Sequence, residues 1–227
     1  MKIGKRLKNF KAKIDNTKVY TVEEAVKLVK ETAVAKFDTT IEAHASLGID
    51  PKKGEQIVRA SVNLPHGSGK KVRIAAFVPD ADVKKAKDAG ASVAGGEVLI
   101  EEIKKTGKCD FDIAVTVPDM MKNLASIARV LGQKGLMPNP KTGTIGTDIV
   151  KMIEELQKGK VSYKNDDTAN VHLAIGKASY TEQQITANFQ AFVDSLKKAK
   201  PQNVKGTYIK SVYLSSTMGP SVKVATN

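Results

Sequence analysis

The stretch Gly67-Ser68-Gly69-Lys70-Lys71 has the glycine and lysine content of a phosphate-binding loop. That motif needs a glycine five positions before its Gly-Lys pair and a serine or threonine directly after the pair. The chain has Leu64 and Lys71 at those two positions. The stretch also precedes a predicted strand, whereas a phosphate loop follows a strand and opens a helix. It therefore does not predict a nucleotide site.

The cysteine and histidine residues do not predict a metal site or a nucleophile. Cys109 is the only cysteine, so the chain can build neither a disulfide framework nor a cysteine-based zinc site, and a reducing compartment fits it. The histidines lie far apart without metal-ligand spacing, at positions His44, His66 and His172. His44 and His172 fall on the polar sides of alternating stretches, where a solvated or hydrogen-bonding imidazole is expected. We predict no cofactor and no metal.

Paired carboxylates are the remaining candidates for acid–base chemistry. Glu101-Glu102 and Glu154-Glu155 lie on lysine-rich predicted helices, where a solvent-exposed face explains them. No Ser–His–Asp or Cys–His arrangement is legible, although such triads assemble from distant parts of a chain. The prediction is therefore a protein that is not an enzyme, with an enzyme built on the middle of the chain as an alternative.

The charge of the chain points to a polyanionic partner. Its 227 residues carry a formal net charge of +13, and the isoelectric point is near 9.6. A balance this basic is typical of nucleic-acid-binding proteins, with a merely basic cytosolic protein as the alternative. Because the chain has no tryptophan and 5% aromatic residues, stacking of bases on aromatic rings is not expected to dominate binding.

No apolar run reaches 18 residues, and no apolar segment follows the basic start Met1-Lys2-Ile3-Gly4-Lys5-Arg6. The sequence therefore predicts neither a membrane span nor a secretion signal. We expect no membrane partner.

The segment Ser216-Thr217-Met218-Gly219-Pro220-Ser221-Val222 is a candidate contact surface. It follows an alternating stretch, 208–214, that predicts a β-strand. A hydroxyl, a methionine and a glycine come in succession, and a proline then restricts the backbone. The segment predicts either a strand that ends in a turn or a preformed surface for a ligand.

The outer parts of the chain alternate between apolar and polar residues, which predicts strands with one buried and one open face. These strands are expected at 39–49, 57–64, 161–164, 171–175 and 207–216. The first two are separated by a short loop and are predicted to pair antiparallel. Capping boxes at Thr21 and Thr181 predict the two main helices, and a short basic helix is expected over 5–14.

The middle of the chain has continuous apolar runs at 72–78 and 112–117, each stopped by a proline. Predicted helices alternate with these runs, near 80–89, 97–105, 119–131 and 147–158. This order is typical of βαβ units and a parallel sheet.

Together the two patterns predict a two-domain protein of α/β and α+β class. A discontinuous α+β domain with an antiparallel sheet, 1–65 plus 160–227, is interrupted by an inserted Rossmann-like α/β domain, 66–159. The outer segments carry 22 basic and 12 acidic side chains, and the middle carries 15 and 12. The main polyanion site is therefore expected on the discontinuous domain.

Five short motifs occur in a characteristic order along the chain: Lys36-Phe37-Asp38, Leu64-Pro65-His66-Gly67, Gly135-Leu136-Met137-Pro138-Asn139-Pro140-Lys141, Gly176-Lys177-Ala178-Ser179 and Thr217-Met218-Gly219-Pro220-Ser221. With these motifs the chain resembles the bacterial-type ribosomal protein L1 family from its first helix to nearly its last residue. It departs from the family at Gly132-Gln133-Lys134, where members often have proline in the middle position.

The resemblance implies a structural protein of the large ribosomal subunit. In that family the discontinuous domain binds the stalk of the large-subunit (23S) rRNA, and the stalk accompanies deacylated tRNA out of the E site. Many members also repress translation of their own operon mRNA. The implied partners are large-subunit rRNA, E-site tRNA, the chain's own mRNA and the rest of the large subunit, with a monomer when free. The expected location is the cytoplasm or an organelle matrix. A free-standing RNA-binding repressor is the alternative.

The resemblance also implies an RNA-binding surface on the open face of the antiparallel sheet. The matching positions are Lys36, Phe37, Thr40, Glu42, Ser211, Thr217, Met218 and Gly219, with Lys5, Arg6, Asp166, His172, Lys177 and Ser179 as further ones. Hydroxyls and carboxylates suit the ribose 2′-hydroxyl, which donates and accepts. Phosphate repels Glu42, so this carboxylate is expected to accept from a ribose or base donor, or else to form a salt bridge with Lys36 or with a neighbouring strand. Ser211 is expected on the polar side of its strand, on the face opposite to that of Ile209.

Overall fold

The computed structural model describes residues 10, 14–15 and 17–226. The chain forms two compact units, which we call unit 1 (1–69 with 161–227) and unit 2 (70–160). The predicted basic helix over 5–14 falls almost entirely outside the described residues, and Lys5 and Arg6 lie outside them.

The described elements follow one another along the chain in mixed α/β order. The strands are β1 (Thr40–Leu47), β2 (Arg59–Asn63), β3 (Ile74–Phe77), β4 (Val93–Gly95), β5 (Ile113–Thr116), β6 (Lys160–Lys164), β7 (Asn170–Lys177), β8 (Ile209–Ser216) and β9 (Ser221–Val224). The α-helices are α1 (Val22–Thr32), α2 (Val83–Asp88), α3 (Glu97–Thr106), α4 (Met121–Leu124), α5 (Ala128–Gln133), α6 (Ile149–Gln157) and α7 (Glu182–Lys198).

Unit 1 is built on a four-stranded antiparallel sheet in the order β7-β1-β8-β9. Burial alternates strictly along β1, where the apolar residues are buried and the polar residues are half-exposed. The buried face joins a core that includes the apolar stripe of α7, namely Ile185, Phe189, Phe192, Val193 and Leu196. The predicted one-sided strand pattern and the helical stripe are confirmed.

Both capping boxes are present where the sequence predicts them. The hydroxyl of Thr21 accepts from the Glu24 N–H, and the Glu24 carboxylate accepts from the Thr21 N–H at 3.2 Å. Thr181 and Gln184 form the same reciprocal pair at the start of α7. Each box satisfies two backbone donors that the first helical turn leaves free.

The predicted pairing of the first two strands is wrong. β2 lies in a separate two-stranded sheet with β6, and both edges of β1 are occupied by β7 and β8. Asn165 ties β2 to the end of β6, because its side-chain oxygen accepts from the Val58 N–H at 2.8 Å and its N–H donates to the Val58 carbonyl at 3.0 Å. The segment after β8 is also more than a terminal turn, since it connects β8 to β9 as a hairpin.

Unit 2 contains a three-stranded parallel sheet in the order β4-β3-β5, as the apolar runs predict. All four residues of β3 are buried. Ala75 and Phe77 face a core with α3, and Ile74 and Ala76 face a second core with α6. The predicted helix over 119–131 is interrupted, since 3-10 turns at Pro118–Met120 and Ala125–Ile127 flank the four-residue α4.

Among the described residues, no helix is long and apolar enough to cross a membrane.

Candidate nucleic-acid interface

The outward side chains of the unit 1 sheet form rows that run across the strands. We call this surface the open face. One row joins His172, His44, Tyr213 and Lys223, and the next joins Ala174, Glu42, Ser215 and Ser221. A third row joins Asn170, Ser46 and Ser211. Because residues directly opposite in an antiparallel sheet have neighbouring Cβ atoms, each row presents adjacent hydrogen-bonding groups.

Ser211 lies on the open face and Ile209 on the opposite, core-facing side of β8, so their predicted relation is confirmed. Ser211 pairs with Ser46 on the open face, whereas Ile209 pairs with the buried Leu47 and packs against the core together with the buried Val212 and Leu214. The register shift between Ser46 and Leu47, which places Leu47 opposite Ile209, is not visible in the sequence.

One corner of the open face is closed by hydrogen bonds between β1 and residues 217–219, which we call the TMG loop. The Thr217 N–H donates to the Thr40 carbonyl at 2.9 Å, and the Thr40 N–H donates to Thr217 Oγ1 at 3.2 Å. Lys177 Nζ donates to the Thr40 hydroxyl at 2.8 Å. Thr40 therefore joins Lys177 through its side chain and Thr217 through its backbone, and the three residues meet at one corner.

The TMG loop is held in one conformation by its own packing. Met218 has a positive φ of +66° and is 73% exposed. A Cβ on Gly219 would run into the Ser216 hydroxyl and crowd its carbonyl, which accepts from the Gly219 N–H at 2.8 Å. Pro220 is buried behind the turn. The glycine is therefore required by the protein itself, and the loop presents Met218 to solvent.

The approach to β1 supplies a second exposed group. Lys36 is exposed, and Phe37 is 57% exposed although it is a large apolar residue. Asp38 accepts from the Ser179 N–H at 3.1 Å and from the Ser179 hydroxyl at 2.9 Å. The Ser179 hydroxyl thus joins the chain before β1 to the chain after β7, and this contact gives it a structural role.

Two histidines meet at the centre of the open face. His44 Nδ1 lies 2.7 Å from His172 Nδ1, and His44 Nε2 lies 2.9 Å from the Ser215 hydroxyl. Glu42 lies 3.8 Å from His44 Nε2. Burial, and then the neighbouring His172, lowers the pKa of His44, while Glu42 opposes the shift. The polar neighbour of Glu42 on this face is thus the imidazole of His44, and the alternative pairing with Lys36 is not seen among the ion pairs of the described residues.

Asp166 shapes the turn before β7. Its carboxylate accepts from the Asn170 N–H at 2.7 Å and from both the N–H and the hydroxyl of Thr168. These bonds, the Asn170 one first, hold the pKa of Asp166 at about 2. Its other contact is His172 Nε2 at 3.5 Å. Asp166 therefore acts on the open face through His172.

Sequence reasoning missed several groups that the register adds to this surface. Ser215, Tyr213 and Lys223 lie in the rows described above but not among the predicted positions. The alternation of β1 already places His44 and Ser46 on its polar side, and a solvated or hydrogen-bonding imidazole was predicted for His44. The period-2 pattern gives the face of each strand, but only strand order and register give its neighbours. Within the described part of the chain, no cluster of three histidine, cysteine or acidic side chains could hold a metal ion.

The phosphate-loop candidate has a structural explanation in unit 2. Lys70 Nζ donates to Asp112 at 2.9 Å, and the backbone N–H and side chain of Arg73 donate to the same carboxylate. These bonds, the Lys70 one first, lower the pKa of Asp112 to about 2. Lys70 thus forms an ion pair with Asp112 beside the start of β3.

Known proteins are similar to this chain along nearly its whole length. The model of the "Ribosomal protein L1p/L10e family" matches residues 29–220. The chain is 47% identical to the large ribosomal subunit protein uL1 of Mesoplasma florum, over 100% of this chain and 99% of that protein. It is 46% identical to uL1 of Thermus thermophilus, over 98% and 97% of the two chains. It is 50% identical to uL1 of Chloroflexus aurantiacus, over 98% and 95%. The chain therefore belongs to the ribosomal protein L1p/L10e family, a family of structural ribosomal proteins and not of enzymes.

Proposed function

We propose that this protein is a structural component of the large ribosomal subunit and binds the stalk of large-subunit rRNA through unit 1. The observation that carries the proposal is the open face, where adjacent strands present rows of hydroxyl, imidazole and carboxylate groups. Relatives that match nearly the whole chain are named as large-subunit proteins, which supports the same assignment.

The chemistry of the open face suits structured RNA. Structured RNA displays ribose hydroxyls and phosphates, which hydroxyls, carboxylates and lysines recognise by hydrogen bonding and charge. Lys36, Lys177 and Lys223 lie on or beside the face. Each phosphate that they neutralise is expected to make the slope of log K against log salt more negative by about 0.7–0.9.

The shape of the TMG loop favours binding without rearrangement. Met218 is already presented to solvent, and the hydrogen bonds between Thr217 and Thr40 fix the loop on β1. A contact surface that is ordered before binding avoids the entropy cost of ordering it in the complex. An exposed thioether can adapt to a sugar or base surface.

Two further activities are part of the proposal. With the rRNA stalk bound, the chain assists release of deacylated tRNA from the E site. The same face binds the chain's own operon mRNA and represses its translation. The free chain is a monomer in the compartment that holds its ribosomes, and the RNA-binding domain is the discontinuous one, 1–65 plus 160–227.

Sedimentation separates the ribosomal role from a free-standing repressor. A tagged chain is expected to co-sediment with large subunits after a high-salt wash and to be absent from subunits whose rRNA lacks the stalk. A chain found only in the free fraction, bound to mRNA, would contradict the ribosomal assignment.

A further inference from the structure

The two histidines at the centre of the open face share a hydrogen bond that limits how many protons the pair can carry. Their Nδ1 atoms lie 2.7 Å apart, so one Nδ1 carries the hydrogen and the other accepts it. A hydrogen on both Nδ1 atoms would place two donors face to face and break the contact. The pair can therefore take up one proton beyond the neutral state, but not two.

The outer nitrogens of the pair are placed to receive that proton. His172 Nε2 faces the Asp166 carboxylate at 3.5 Å. His44 Nε2 faces the Ser215 hydroxyl at 2.9 Å and the Glu42 carboxylate at 3.8 Å. Ser215 can donate to a bare Nε2 or accept from a protonated one, so the uptake of one proton breaks no contact.

The charged surroundings of the pair come from every strand of the sheet. Glu42 on β1 and Asp166 before β7 favour the protonated state, and Tyr213 on β8 lies beside His44. Lys223 on β9 lies one strand further along the same row and opposes protonation. An RNA phosphate on this face would add negative charge and favour it.

We infer that His44 and His172 act together as an RNA-contact element that carries one proton-dependent positive charge, so that rRNA affinity rises as pH falls from about 8 to about 6. The inference rests on the proposed function and adds His44 to the contact surface. Bound phosphates raise the pKa of the pair. The gain in affinity is therefore complete below the pKa of the free pair and is lost as pH rises through the pKa in the complex.

The lowered pKa of His44 agrees with this arrangement, because burial and His172 both disfavour a charge on that ring. The side chain of His172 is 53% exposed, and that of His44 is 29% exposed. The imidazole of His172 is thus the more accessible of the two to a ligand on the open face.

The test is the affinity of the full chain for a transcript of the 23S rRNA stalk at about pH 6, 7 and 8 and constant ionic strength. The wild-type affinity should be about fivefold higher at the lowest pH than at the highest, within the tenfold per pH unit that one proton allows. His44→Gln and His172→Gln should each remove this dependence. His66→Gln is the matched control and should retain it, since His66 is bonded through its backbone to Asn188 and Tyr180, away from the open face.

A flat wild-type affinity with intact binding, or an unchanged slope in His172→Gln, overturns this inference and leaves the proposed function standing. Absence of binding at every pH overturns both. Ring-nitrogen NMR of the free chain adds a readout that does not depend on RNA. It should show the uptake of one proton by the pair, and independent titration of both rings would contradict proton sharing.

Discussion

The antiparallel sheet of unit 1 and the parallel sheet of unit 2 differ in how many of their faces are buried. Along β1, burial alternates from residue to residue, whereas every residue of β3 is buried. Helices cover both faces of the parallel sheet, so unit 2 presents loops and helix surfaces. The antiparallel sheet buries one face against its core, and its other face presents rows of polar side chains that are accessible to a ligand. This difference is the reason that we propose RNA binding on unit 1.

Aspartate substitutions at neighbouring residues of β1 and of β3 test this difference in burial, and they have the largest expected effects on stability. Ala45→Asp should destabilise unit 1 by about 3–5 kcal/mol, because it buries an unpaired charge, while Ser46→Asp should leave folding within about 0.5 kcal/mol. In unit 2, both Ala75→Asp and Ala76→Asp should destabilise, since both residues are fully buried. Denaturant unfolding followed by circular dichroism measures all four. Tolerance of either change in β3 would contradict the two-face burial.

Alanine substitutions of one glycine in each unit, Gly219 and Gly132, should have smaller and opposite effects on stability. Gly219→Ala should cost about 2 kcal/mol, since its Cβ would meet Ser216, and should weaken rRNA binding. Gly132→Ala, in α5 with open space around it, should stabilise by up to about 1 kcal/mol. Adding Ser216→Ala should recover part of the Gly219→Ala loss, because the Ser216 hydroxyl is buried without a partner. Melting temperatures that fall equally for both glycine variants would oppose this account.

Asp166 in unit 1 and Asp112 in unit 2 both have a pKa of about 2, and acid titration distinguishes their effects. The folded pKa of Asp166 lies at about 2, below its usual value, so its contribution is present above pH about 4 and is lost as pH falls toward 2. Asp166→Ala should therefore destabilise unit 1 by about 1.5 kcal/mol at neutral pH and by little near pH 2, after allowance for solvent exposure. It should also lower rRNA affinity by releasing His172. The matched Asp112→Ala in unit 2 should affect stability alone. Equal loss of affinity in both variants would contradict the assignment.

Local patterns predicted the elements that depend on local physics. The capping boxes at Thr21 and Thr181 and the alternation of β1 depend on residues a few positions apart, and they appear as predicted. The neighbours of β1 could not be predicted in this way. β7 and β8 lie more than 120 residues further along the chain, whereas β2 is the next strand, so proximity in sequence favoured the wrong partner.

The residues of the candidate site also divide into those that the sequence could predict and those that depend on strand register. Resemblance placed Thr40, Thr217 and Lys177 in one set, and the structure brings these residues together, since Thr40 bonds Thr217 through its backbone and Lys177 through its side chain. The pair of His44 and His172 is visible only in the register, because residues 128 positions apart meet across two strands. Ser179 and Asp166 have internal partners that a one-dimensional pattern does not show.

The central claim is tested most directly by one exposed apolar residue in each unit. Met218 is 73% exposed in unit 1, and Val98 is 80% exposed in unit 2, so aspartate at either position should leave the fold intact. We predict that Met218→Asp weakens binding of the full chain to stalk rRNA about fivefold, or about 1 kcal/mol, whereas Val98→Asp leaves binding within twofold of wild type, about 0.4 kcal/mol. Equal losses, or a larger loss from Val98→Asp with both melting curves unchanged, would contradict the assignment of rRNA binding to the open face and TMG loop.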